Sequence, residues 1–367
     1  MIIPLNDLSR TMNASAETIG VVSRVLASGY WINGPEQRGF EVEFANYLGV
    51  DYFLGVASGT DAIEIALRAL GCTLGSKIVT VANAGAYTTI AGKLIGCEVI
   101  YCDVDPETLV MDVESLSDVL SSDIDVVVVT HLYGNIAPAK KIKDICDRFG
   151  VKVIEDCAQA AGGTLDGRRV GSIGDIGTFS FYPTKNLGAC GDGGGISTNE
   201  FYLADIIGKL RQYGWVEKYD IQIPNGRNSR LDEIQAAILR LNLEDLDERN
   251  QRRRNILFRY SEAIAQSGIN LVSNSSAQSA AHLAILKFPN AMTRDIFRGY
   301  MSTKGIATEI HYPILDFDQV AYEQDFKVSN LTNSKTVVDQ IVTIPLFPQM
   351  TDAEVSYIES ALKQFKI

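Results

Sequence analysis

Asp125-Val126-Val127-Val128-Val129 decides the architecture. Four consecutive valines leave no polar face, so a strand built from them has to be covered on both sides. Outward from it, between about residue 52 and residue 200, short β-branched runs alternate with helical segments: Tyr52–Val56, Lys77–Val81, Glu98–Cys102, Val151–Ile154, Thr178–Phe181 and Gly195–Thr198. The pattern predicts an α/β domain with a large, mostly parallel sheet. Upstream, apolar residues at Ile19, Val22, Val25 and Leu26 predict a helix over 14–28, closed by Gly29, and a second covers Gly39–Leu48.

Downstream, Asp232 opens a long helix with Ile234, Ala237, Ile238, Leu241 and Leu243 inward, continuing past Arg254. After it the sequence reads as a helix, a strand at His282–Phe288, a helix at Thr293–Thr303 and a strand at Ile306–Ile310. A helix near Ser334–Ile341, a short extended piece and a terminal helix from Asp352 complete the chain. The expectation is a large domain over 1–250 and a smaller C-terminal α+β domain over 251–367.

The chain has 367 residues, 46% hydrophobic and 21% charged, an ordinary globular balance with material for a large core. A net charge of -12 argues against a nucleic-acid or anionic-membrane footprint, and the one basic triplet, Arg252-Arg253-Arg254, reads as a solvated helix face. Cys72, Cys97, Cys102, Cys146, Cys157 and Cys190 form no CxxC and have no histidine at ligand spacing, so the expectation is no metal and small buried thiols in a reducing cytoplasm. The N-terminus has no basic-then-apolar leader, and no apolar run is long enough to span a membrane.

Parallel sheets bind ligands at the carboxyl ends of their strands, and three such ends carry chemistry here. After Val56 comes Ser58-Gly59-Thr60-Asp61, opening a helix; its free N–H groups and hydroxyls suit an anion, although plain N-capping explains the same residue types. After Ile154 comes Glu155-Asp156-Cys157-Ala158-Gln159. A buried Asp156 calls for a cation such as a protonated heterocyclic nitrogen, with helix capping as the bland alternative, and Gln159 stands one helical turn on. Third is Ser180-Phe181-Tyr182-Pro183-Thr184-Lys185, where a lysine enclosed beside Phe179, Phe181 and Tyr182 should have a depressed pKa and an available neutral amine. Phosphate cradle, pyridinium partner and Schiff-base lysine on one sheet edge make a pyridoxal 5'-phosphate (PLP) site. The glycines at 188, 191, 193, 194 and 195 make neither GxGxxG nor a P-loop.

Ser-Gly-Thr-Asp-Ala at 58–62, Glu-Asp-Cys-Ala-Gln-Ala at 155–160, Ser-Phe-Tyr-Pro-Thr-Lys-Asn-Leu-Gly-Ala at 180–189, Gly-Asp-Gly-Gly at 191–194 and Asn-Ser-Arg-Leu-Asp-Glu-Ile-Gln-Ala-Ala at 228–237 resemble the DegT/DnrJ/EryC1/StrS aminotransferases over nearly the whole chain. The resemblance implies the PLP-dependent aspartate aminotransferase fold (type I). It implies that Lys185 forms the Schiff base, Asp156 pairs with the pyridine nitrogen, Gln159 contacts the ring hydroxyl, and Gly59, Thr60 and Ser180 hold the phosphate. Asn228 would reach the phosphate of a neighbouring subunit, making a homodimer with shared sites. Tyr182, Tyr219, His311 and Tyr312 would border the sugar, Tyr219 from the partner chain, while His131 and His282 read as structural.

Lys185-Asn186-Leu187-Gly188-Ala189 and Tyr213-Gly214-Trp215 resemble the branch that aminates C3 of dTDP-linked 3-keto-6-deoxyhexoses, with L-glutamate as donor. That branch serves amino-sugar and glycan biosynthesis, including lipopolysaccharide O-antigen. The alternatives are C4 amination of a UDP- or dTDP-4-keto sugar and a non-catalytic PLP-binding regulator; sugar dehydratases of this fold carry histidine in place of the lysine. One departure is Gly85, where many relatives place an aromatic over the cofactor ring; Tyr87 is the nearby substitute.

Overall fold

Val126–Thr130 is an inner strand of an eight-stranded sheet, and Val126 to Val129 are buried on both faces, as a valine run demands. The computed structural model describes residues 2–11, 16–274, 276–322, 327–328 and 330–366. Residues 14 and 15 of the expected first helix lie outside the described residues; the rest of it is Ala16–Ser28. In spatial order the strands are Tyr52–Val56, Gly194–Thr198, Ile176–Ser180, Lys152–Asp156, Val126–Thr130, Lys77–Val81, Glu98–Cys102 and Lys327–Val328. Only Gly194–Thr198 runs antiparallel to its neighbours. Val56, Val81, Thr130, Asp156 and Ser180 therefore end on the same edge, and the loops that follow them form one crevice.

Beneath that edge, Phe179 and Phe181 point into an aromatic cluster with Phe40, Phe44 and Phe53, with Phe44 edge-on to Phe53 (centroids 4.7 Å) and to Phe179 (5.2 Å). Each such contact adds about 0.5–1.5 kcal/mol to the burial of the rings. The helix carrying Phe40 and Phe44 begins at Pro35, earlier than expected. Proline suits the first helical turn, and the first N–H groups are capped from afar by buried Glu233, whose carboxylate accepts from Gly34, Glu36 and Gln37 at 2.8–2.9 Å.

Three expectations past residue 230 are corrected. The long helix is two, Glu233–Leu243 and Leu246–Ile264, because Asp245 with Asp247 and Glu248 makes a second helix start. Ile306–Ile310 forms no strand; its extended backbone makes only isolated bridges, Ile306 to Ile3 and Glu309 to Thr343. The helix expected over Ser334–Ile341 is the shorter Thr332–Val337, since Ile341, Val342 and Ile344 are fully committed to a strand paired antiparallel with Ala284–Lys287. That small sheet, Asn270–Leu271, Ala284–Lys287 and Ile341–Ile344, packs with Ala291–Thr303 and Asp352–Gln364 around a core of its own that also takes in Ile3. Of the six thiols five are buried and Cys190 is exposed, in the turn held by its N–H to Gln235 Oε1 at 2.8 Å. No helix among the described residues is long and apolar enough to cross a membrane.

Candidate active site

The Gly59–Ala69 helix points its N-terminus into the crevice. Ser58 is its N-cap, accepting from the Asp61 N–H at 3.1 Å, while the first-turn N–H groups of Gly59 and Thr60 have no intrahelical acceptor. Capping and anion binding thus fall to different residues of one loop. Gly59 is required by packing, since a Cβ there would stand 2.7 Å from Ser180 Cβ. This contact brings the helix N-terminus, Ser180 and the Lys185 turn together.

They open on a cavity of about 510 Å³. Gly59, Thr60, Asp156, Ser180, Tyr182, Lys185, His311 and Tyr312 line it together, eight of the eleven site residues named from the sequence. Tyr182 is the only one of the three aromatics expected beside Lys185 that reaches the cavity; Phe179 and Phe181 belong to the cluster below. Lys185 keeps intermediate exposure because it faces this open space, yet the protein packed about its amine depresses its pKa to about 8, burial being the cause and Asp156 opposing it.

The other three lie elsewhere. Gln159 is buried behind the lining, its Oε1 accepting from the Tyr133 N–H at 2.7 Å and its Nε2 donating to the Tyr312 hydroxyl at 3.0 Å. No helix follows Asp156; residues 158–161 form turns, so the expected helical spacing of Gln159 is replaced by this bridge. Asn228 and Tyr219 lie outside the cavity of their own chain, both exposed and Tyr219 strongly so.

Asp156 is nearly inaccessible, and burial raises its pKa, with the Ala158 N–H and Lys185 working against the rise. Its Oδ1 accepts from Ala158 N–H at 3.1 Å and its Oδ2 from Thr130 Oγ1 at 3.4 Å. A carboxyl in this position favours a cationic partner. A protonated pyridine nitrogen meets that need, the Gly59–Thr60 turn suits a phosphate, and Lys185 suits an aldehyde, so the residues fit PLP.

The Gly85 departure also finds its physical reason. Gly85 has φ +80°, and a Cβ on it would stand 3.0 Å from the Tyr312 ring, so Tyr312 occupies the room above it. Tyr87 meets Tyr312 edge-on at 6.2 Å and also lines the cavity. The segment carrying Tyr312 is buttoned down by Asp316, missed in the sequence, whose carboxylate accepts from Ala86 N–H at 2.9 Å and Thr89 Oγ1 at 2.7 Å. Nothing local to Asp316 signalled this, because its partners lie more than two hundred residues away.

One cluster with metal-ligand chemistry, His131, Glu155 and Cys157, is fully buried beneath the site. Its groups already serve structure: His131 Nδ1 accepts from Ala137 N–H, its Nε2 meets Glu155 Oε2 at 3.1 Å, and Glu155 Oε1 accepts from Ile173 and Gly174 N–H.

Residues 13–363 match the DegT/DnrJ/EryC1/StrS aminotransferase family. The chain belongs to that family. Among its relatives is the dTDP-3-amino-3,6-dideoxy-alpha-D-galactopyranose transaminase of Aneurinibacillus thermoaerophilus, 38% identical over 364 residues and 99% of each chain. The crystal structure of S. venezuelae DesV in complex with a ketimine intermediate superposes with a TM-score of 0.94 at 32% identity, covering 99% of this chain and 98% of that one. That of Bacillus subtilis NtdA with bound cofactor PMP gives 0.91 at 28% identity, covering 98% and 84%. The fold is therefore that of the PLP aminotransferases, with a large mostly parallel sheet.

A lysine whose amine is packed about by protein and whose pKa is depressed has a readable cost in this aminotransferase. Its folded-state pKa lies below the unfolded value, so the folded protein binds fewer protons between pH 8 and 10.5; the penalty is full below that window and fades through it. Lys185→Met should stabilise the cofactor-free protein at pH 7 by up to about 3 kcal/mol, less whatever the cavity water screens. Thermal melts across pH 7–11 should show the advantage shrinking as pH rises; a constant or growing gap would contradict the assignment.

Proposed function

We propose that the protein is a PLP-dependent aminotransferase that moves the amino group of L-glutamate to C3 of a nucleotide-linked keto-deoxysugar, a dTDP-3-keto-6-deoxyhexose. The observation that carries this is the meeting of Lys185, Asp156 and the Gly59–Thr60 helix N-terminus in one cavity. The name of the 38%-identical relative supports the sugar nucleotide and the position of amination.

PLP supplies an aldehyde that captures amines and a ring that accepts the electrons left when a proton departs the carbon beside nitrogen. The protein's residues do the rest. Gly59, Thr60 and Ser180 bind the phosphate through N–H and hydroxyl groups. Asp156, nearly inaccessible at the cavity wall, would hold a proton on the ring nitrogen by ion pairing. The Lys185 amine would serve as the general base that takes the proton from the donor's α-carbon and as the general acid that returns it to the carbon on the other side of the amino nitrogen, and it would act in the opposite sense with the keto sugar. A pKa near 8 leaves it able both to take and to give.

Tyr182, His311 and Tyr312 border the sugar. Asn228 and the strongly exposed Tyr219 complete a partner's site in a homodimer. Division into domains 1–250 and 251–367, a cytoplasmic location and a role in building a glycan such as an O-antigen belong to the same reading. The test is amination of a panel of 3-keto and 4-keto sugar nucleotides with L-glutamate, followed by product mass and NMR. Turnover confined to 3-keto dTDP sugars is expected; preference for a 4-keto sugar would overturn the C3 assignment.

A further inference from the structure

His282, which reads as structural in the sequence, lines the same cavity as Lys185. Its backbone is fixed from two sides: its N–H donates to Tyr133 O at 3.0 Å, and its carbonyl accepts from Arg253 Nη1 at 3.1 Å. Its ring is fixed by Asn186, the residue next to Lys185, with Nδ1 2.8 Å from Asn186 Oδ1.

The hydrogen-bond roles follow from one fixed acceptor. The Ala280 carbonyl can only accept, and the Asn186 side chain stands 2.7 Å from it, so the amide nitrogen of Asn186 faces Ala280 and also meets Asn250 Oδ1 at 2.7 Å. Its oxygen is thereby turned to His282, and Nδ1 of the imidazole must carry the hydrogen. A neutral ring in this tautomer has a bare Nε2, for which no hydrogen-bond partner is found among the described residues. Burial holds the imidazole well below its usual pKa, with Lys185 and Arg253 adding to the effect, so the ring stays neutral and the lone pair stays available.

We propose that His282 is a positioning residue for Lys185: its Nε2 accepts a hydrogen bond from the protonated Lys185 amine and steadies that amine once the substrate has displaced it. Asp156 and His311 also face Lys185; Asp156 is occupied whenever a ring cation is bound, and His311 is tied through Nδ1 to Thr343 Oγ1 at 2.8 Å. His282 then remains as the neutral acceptor that keeps the freed amine aimed into the cavity. Asn186 acts one step back by setting the tautomer.

This inference rests on the reading of Lys185 as the working amine, and its test is made on cofactor-free protein so that the two stand or fall separately. Competitive labelling with acetic anhydride and peptide mass spectrometry gives the pKa of Lys185 across a pH series. His282→Phe should lower that pKa by about one unit, because the ammonium loses its acceptor, and His282→Gln, which keeps a carbonyl oxygen, should restore most of it. An unchanged Lys185 in a His282→Phe protein whose circular dichroism and other lysines are normal would overturn the proposal. Should that variant not fold, nitrogen-15 NMR of the wild-type histidines decides alone: a protonated Nδ1 with a bare Nε2 between pH 6 and 9 supports it, and an Nε2–H or imidazolium form contradicts it.

Discussion

Lys185→Ala should abolish transamination, lowering kcat by at least about 10⁴-fold, while the protein still takes up PLP noncovalently. The two halves of this expectation come from different parts of the cavity. Gly59, Thr60 and Ser180 lie on other segments than the Lys185 turn and do not depend on the amine. In the proposed reading only the amine captures the aldehyde and moves the proton. Dialysis and absorbance of the variant incubated with PLP measure binding, and a coupled 2-oxoglutarate assay measures turnover. Activity within about tenfold of wild type would remove Lys185 from the mechanism.

Asp156→Asn has the second largest effect. The amide matches the carboxylate in shape and can still accept from Ala158 N–H, so the fold should persist. It cannot hold a proton on a ring nitrogen by charge, and kcat should fall about 10²–10³-fold while KM for the sugar nucleotide moves less than about threefold. Stability supplies an independent sign. Burial raises the pKa of Asp156, so the folded cofactor-free protein binds its proton more tightly than the unfolded chain does. Stability is then lost as pH rises from the ordinary carboxylate range through the raised pKa. The neutral amide carries no such penalty, so melts should show the variant gaining on wild type through that window and holding a constant lead above it. A lead that shrinks as pH rises would mean that Asp156 is stabilised as the anion.

What the sequence revealed divides along physical lines. Tyr52–Val56, Lys77–Val81 and Glu98–Cys102 were readable to the residue, because their largely apolar, β-branched or aromatic runs are short and bounded by polar or glycine-containing stretches. Asp156 stood out because a carboxylate at a buried strand end is expensive, and Lys185 because a lysine closely follows an aromatic strand; the fold brings both to one cavity. The C-terminal third was less legible. Ile341–Ile344 and Ile306–Ile310 are both short apolar runs, and only the first finds a long partner in Ala284–Lys287; pairing is a tertiary fact that neither run announces. The same holds in the site. Tyr312 over Gly85, Asp316 capping from across the chain and His282 held by Asn186 are contacts between distant segments. His282 did leave one trace, a histidine bordering an apolar strand in a chain with only three histidines.

The most direct test of the central claim, that Lys185 carries amino-transfer chemistry on a bound PLP, is an absorbance scan of the purified protein loaded with PLP, before and after L-glutamate. The account predicts a band at the edge of the visible that is missing in Lys185→Ala and gives way, on adding glutamate, to the shorter-wavelength band of pyridoxamine phosphate. A wild-type protein that shows no such band, or whose band glutamate leaves untouched, would contradict it.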